Sequence, residues 1–211
     1  MALRRCEGKT PKDGNYLTED EALQYQWNLI WNWEEQKRIF PIRIGFGISG
    51  LSCGFAGMYF NNYFRQKLKL KNFGKMSSYI PNVILPTLGG SFFHWQLVTS
   101  DILLHKTECP LCVEIRAVAI QTVFGLIYPI ILSTLAGIVN ANNYLTYNVP
   151  SLRYPGQVLK LLWKFTKPLS TTIPIVFALQ AISASIITVQ EGKTLQYIEK
   201  ELIKQELKKN Q

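Results

Sequence analysis

The chain alternates between long apolar runs and short clusters of charge. The runs lie at about residues 44–64, 79–98, 117–139 and 169–189. A helix of about 20 residues rises roughly 30 Å, the thickness of a bilayer's hydrocarbon core. Two further segments are amphipathic rather than apolar throughout. The first opens with Thr18-Glu19-Asp20-Glu21, a capping box. It then places Leu23, Trp27, Ile30 and Trp31 at helical spacing, so the pattern predicts a helix running to about Phe40. Three of the five tryptophans fall here, a residue suited to the membrane–water boundary. An interfacial or partner-binding helix and a helix packed on its own bundle both fit. The second segment is the tail from Glu191. Glu199, Lys200, Glu201 and Lys204 allow i,i+3 and i,i+4 pairs beside a thin stripe of Leu195, Ile198, Leu202 and Ile203.

The expected fold is therefore all-α: a polytopic membrane protein with four transmembrane helices and amphipathic N- and C-terminal helices. Its parts are an arm and amphipathic helix over 1–40, a four-span membrane domain over 41–190, and a charged helix over 191–211. Residues 1–16 carry turn signals at Pro11 and Asp13-Gly14-Asn15 and read as a disordered arm. The first run repeats glycine at Gly47, Gly50, Gly54 and Gly57, on one helical face. Small residues let helix backbones approach closely where no hydrophobic effect drives association, so these four glycines form an expected helix-contact face. Pro81, Pro86 and Gly89-Gly90 make the second run irregular, and Pro129 is expected to kink the third.

Composition supports the membrane reading. Charged residues are 18% of the chain, below the roughly 25% usual in soluble domains. The net charge of +9 sits beside apolar runs rather than on a soluble basic face, which argues against nucleic acid and for anionic lipid headgroups. The first connection carries Arg65, Lys67, Lys69, Lys71 and Lys75, and the third Arg153, Lys160, Lys164 and Lys167, both without an acid. The second sets Lys106 and Arg116 against Asp101, Glu108 and Glu114. The positive-inside rule places the basic connections in the matrix or cytoplasm, with the second connection and both termini opposite.

Candidate chemistry is sparse. Cys109-x-x-Cys112, at the start of the third run, supports a disulfide, a thiol redox centre or half a metal site. A zinc site would need His105 and His94 as well. A relay of the vitamin K epoxide reductase type would need a second cysteine pair, and only Cys6 and Cys53 remain. The favoured reading is a structural disulfide pinning a hairpin. No phosphate-binding glycine loop, Ser-His-Asp set or paired-carboxylate cleft is present, and the four runs contain no acid. No cofactor and no metal are expected, and the chain is not expected to be an enzyme.

Cys109-x-x-Cys112-x-x-x-Arg116, followed by Gly125-x-x-Tyr128-Pro129, resembles the transmembrane protein 126 family. Ile80-Pro81, Pro86, Phe64-Arg65 and Lys167-Pro168 add to the likeness, which covers roughly residues 45–190. The resemblance implies a multi-span protein of the mitochondrial inner membrane that assists assembly of respiratory complex I. Its implied partners are complex I membrane-arm subunits and other assembly factors. Two alternatives stay open: a membrane thiol-disulfide oxidoreductase using Cys109 and Cys112, and an accessory subunit of the mature complex.

Overall fold

The computed structural model describes residues 17–150 and 153–209, and the regular elements among them are all helical. The arm expected over 1–16 lies outside the described residues. Helix α1 (Glu19–Trp31) begins at the capping box. The Thr18 N–H donates to Glu21 Oε2 at 2.8 Å, and the Glu21 N–H donates to Thr18 Oγ1 at 3.4 Å. These bonds satisfy donors that the first helical turn would otherwise leave open. The helix ends near Asn32 instead of reaching Phe40. The Asn32 side-chain amide donates to the Asn28 carbonyl at 2.9 Å, a local bond that competes with helix continuation. The turn over residues 32–35 lets α1 fold back. Ile30 then joins Ile39, Ile42, Leu103, Leu195 and Ile198 in one buried cluster.

Helix α2 (Gln36–Lys67) contains the first expected span. Helix α3 (residues 75–103) contains the second, α4 (Pro110–Asn143) the third, and α6 (Thr172–Lys209) the fourth. Between the last two, α5 (Pro155–Thr166) is a short amphipathic helix. Three of these helices, α2, α4 and α6, are long and apolar enough to cross a membrane. The tail expected as a separate helix is the continuation of α6, which runs on unbroken because no proline or cap interrupts it.

Helices α3 and α4 widen into π turns at three places, two of them beside a proline. These turns lie at Ile80–Ile84, Trp95–Thr99 and Val123–Ile127, with Pro81 inside the first and Pro129 two residues after the third. A proline lacks the N–H and crowds the carbonyl four residues earlier; an extra residue in the turn relieves both.

Helix α2 is the central element. A Cβ added at Gly50 would run into Ser91 and the Thr87 carbonyl, at Gly54 into the Thr87 side chain, and at Gly57 into the Asn82 carbonyl, all on α3. Gly90 of α3 reciprocates, with Gly50 Cα only 3.3 Å from where its Cβ would stand. Gly47 has nothing within 4 Å and takes no part in this seam. At one end of α2, Phe60, Phe64, Leu68 and Leu70 pack with Ile138, Ala141, Phe165 and Leu169. Mid-helix, the Ser49 hydroxyl donates to Gln121 Oε1 of α4 at 2.7 Å, and Gln121 Nε2 donates to Gln180 Oε1 of α6 at 2.8 Å. Gln180 Nε2 returns a bond to the Ser52 carbonyl at 3.1 Å. Three helices are thus tied by side chains that satisfy one another away from water. The outward faces are apolar: Ile175, Leu179, Ile182 and Ile186 form one exposed stripe along α6.

Candidate functional site: the hairpin end of the bundle

Six residues, Leu104 to Cys109, connect α3 to α4. Cys109 is the N-cap of α4, and Pro110 takes the first helical position, where its missing N–H costs nothing. The Cys112 N–H donates to Cys109 Sγ at 3.3 Å, and both thiols are free and exposed. The Cys112 thiol and the first-turn backbone N–H groups donate toward Cys109, which holds its pKa below the usual thiol value.

Arg116 stands one turn further along α4 and ties the hairpin to α3. Its guanidinium donates to the Leu97 carbonyl at 2.9 Å and to Thr107 Oγ1 at 3.5 Å, and pairs with buried Asp101 at 3.2 Å. The Leu97 carbonyl lies in the Trp95–Thr99 π turn, where helical hydrogen bonding is displaced. His105 Nε2 meets Glu199 Oε1 of α6 at 2.5 Å, and that contact raises the His105 pKa. Lys106 Nζ reaches Glu19 Oε2 of α1 at 2.7 Å. The hairpin is therefore fastened to three helices by charged side chains. Beside it opens a cleft of about 620 Å³, lined by Asp101, His105, Glu108, Glu114, Thr188 and Lys193 among others.

Below the cleft lies a pair the sequence reading missed. His94 of α3 and Glu191 of α6 are both fully buried, with Nε2 and Oε1 3.4 Å apart. The Thr99 hydroxyl donates to the same carboxylate at 3.2 Å. Gly45 of α2 makes the space, since a Cβ there would stand 2.5 Å from Glu191 Oε1. The four apolar runs contain no acid, and Glu191 lies two residues beyond the fourth, yet it is buried inside the bundle. A hydropathy window closes at the first charge, so it ends the fourth run just before Glu191. The available signal was His94, a buried base in need of a partner.

The remaining motif residues have packing roles. Gly125 leaves room for the Gln180 side chain, which would lie 2.7 Å from an added Cβ. Tyr128 is half-buried beside Phe124, and Pro129 is buried. Neither histidine joins the cysteines: His94 faces Glu191 and His105 faces Glu199. Among the described residues no group of three His, Cys, Asp or Glu side chains is placed to hold a metal ion.

Long apolar helices with paired polar groups inside and apolar stripes outside define a multi-pass helical membrane protein. Within that class, the chain belongs to the transmembrane protein 126 family, whose model matches residues 28–205. It is 36% identical to Transmembrane protein 126 of Drosophila melanogaster over 196 residues, covering 92% of this chain and 88% of that one. It is also 24% identical to Transmembrane protein 126A of Mus musculus over 154 residues, covering 73% and 76% respectively. No solved structure matches the chain.

Proposed function

We propose that this chain is a non-catalytic, four-span scaffold of the mitochondrial inner membrane. It holds membrane-arm subunits of respiratory complex I, together with other assembly factors, until they dock. Family membership carries the reading, because the resemblance that implied complex I assembly extends over nearly the whole chain. Two physical features support it. Ser49, Gln121 and Gln180 in the bundle interior hydrogen-bond one another, which favours a packing role over transport. The stripe of Ile175, Leu179, Ile182 and Ile186 offers an apolar face to a partner helix or to lipid. In this reading α3 also crosses the membrane, as the second of the four spans. At 1.5 Å per residue, residues 79–98 rise about 30 Å, and the π turns accommodate its prolines.

The reading is tested by removing the protein from cells and resolving complex I on native gels. Assembled enzyme should fall and partial membrane-arm complexes accumulate, and the wild-type chain should restore assembly. Unchanged complex I would overturn the proposal. The Cys109 thiol, exposed at a helix N-terminus with its pKa lowered, favours a second reading as a thiol-disulfide oxidoreductase. Cys109→Ser with Cys112→Ser separates the two readings. A scaffold restores assembly with both serines present, whereas an oxidoreductase inserts normally and leaves its substrate thiols reduced.

A further inference from the structure

The opposite end of the bundle holds a second cleft, of about 490 Å³, between the end of α2 and the start of α3. Asn62, Gln66, Lys69, Lys71, Asn72 and Lys75 line it, with the Arg65 guanidinium among them. No acid occurs in the sequence between Glu35 and Asp101. Lys69, Lys71 and Lys75 are exposed, and among the described residues no carboxylate pairs with them. Their charge is uncompensated, whereas at the other end of the bundle Arg116, His105 and Lys106 each meet an acid.

The loop that carries two of these lysines is tightly held. Arg65 Nη2 donates to the Lys71 carbonyl at 2.7 Å and to the Phe73 carbonyl at 2.9 Å, while Nη1 reaches the Gly74 carbonyl at 3.2 Å. The Thr146 hydroxyl donates to the Leu68 carbonyl at 3.1 Å, and Phe73 stacks on Tyr144 with centroids 5.2 Å apart. Within that frame Lys69 and Lys71 take φ of 55° and 43°, the left-handed region that residues with a side chain rarely adopt. Such backbone persists only where its surroundings over-determine it, and Arg65 supplies much of that here. The cations are presented on a fixed frame, so little ordering cost remains when an anion binds.

Apolar side chains stand beside the cations. Phe73 and Ile80 are exposed, and Met76 is 75% exposed. A soluble anion has no use for them, whereas an amphiphile would set its acyl chains there. Basic pockets at helix ends on the positive side of a membrane suit phospholipid head groups. We infer that this cleft binds the phosphate head group of an anionic phospholipid, with its chains lying against Phe73, Met76 and Ile80. Lys69, Lys71 and Lys75 supply the charge, and the amides of Asn62, Gln66 and Asn72 face the polar remainder of the head group. The site stands whether or not the chain assists complex I assembly.

The test uses the full-length protein in neutral detergent, titrated with phosphatidylglycerol or with phosphatidylcholine of the same acyl chains, and read by native mass spectrometry. Phosphatidylglycerol should bind at least tenfold more tightly. Replacing Lys69, Lys71 and Lys75 together by glutamine should weaken it at least about tenfold without shifting the melting temperature. Lys160→Gln with Lys164→Gln, on α5, should change affinity less than twofold. If the triple variant loses the wild-type melt, the single variants decide, each expected to weaken binding about fivefold. Inorganic phosphate at equal concentration should not displace the lipid. Equal retention of the two lipids, unchanged affinity in the lysine variants, or displacement by inorganic phosphate would each overturn the inference, the last by making a soluble anion the ligand.

Discussion

The two ends of this bundle handle charge in opposite ways. At the hairpin end three cations of the connection and its helix meet acids: Arg116 with Asp101, His105 with Glu199, Lys106 with Glu19. At the α2–α3 end one buried arginine holds the loop through carbonyl oxygens, and among the described residues the lysines around it have no acid partner. Paired charge fastens a connection to its own helices. Uncompensated charge on a rigid loop leaves an electrostatic field for something outside the chain. The cysteine hairpin is therefore the inward-looking end, despite having the only motif that suggests catalysis.

This contrast can be broken, beginning where the largest effects are expected. His94→Leu would remove the imidazole that faces the buried Glu191 carboxyl and should destabilise the bundle by about 3 kcal/mol. Thermal or denaturant unfolding of the detergent-solubilised protein reads the loss, and Glu191→Gln should cost clearly less. Next is Arg65→Ala, which orphans the carbonyls of Lys71, Phe73 and Gly74. A loss of about 3 kcal/mol is expected, with Arg65→Lys only partly rescuing it because an ammonium lacks the planar fork. A neutral result there would remove the claim that the loop is preorganised. Arg116→Ala should cost about 2 kcal/mol and slow the reaction of Cys112 with a thiol reagent, because the guanidinium favours its thiolate.

Not all of this was visible in the amino-acid order. The capping box at Thr18 and Glu21 could be read directly, because its bonds join residues three apart. Long helices could be read too, since their apolar runs exceed any soluble element. Gly50, Gly54 and Gly57 lie on the seam with α3, while Gly47 lies off it, because a one-dimensional repeat does not say where a neighbouring helix diverges. The break after Trp31 was hidden, as it depends on an Asn32 side chain choosing a local carbonyl. The His94–Glu191 pair was hidden for a different reason: its members are 97 positions apart and one lies beyond the hydropathy window. Arg65 looked like one of five equivalent loop cations until the fold buried it.

The smallest expected effect concerns pH. His105 has a raised pKa in the folded chain because it bonds Glu199. Its contribution is complete below the ordinary histidine range of about 6.5 and is lost as pH rises through the raised value. Both partners are partly exposed, so less than about 1 kcal/mol is involved. Intrinsic-rate-corrected hydrogen exchange over residues 104–109 should therefore quicken between pH 6 and 8. His105→Gln should flatten that dependence; an unchanged profile would show that the pair does not hold the hairpin.

The scaffold reading faces its most direct test in complexome profiling of native membranes. The protein should migrate with partial complexes that contain complex I membrane-arm subunits and be absent from the finished enzyme. Stoichiometric migration with mature complex I would make it a resident subunit, and migration apart from every complex I intermediate would contradict the account.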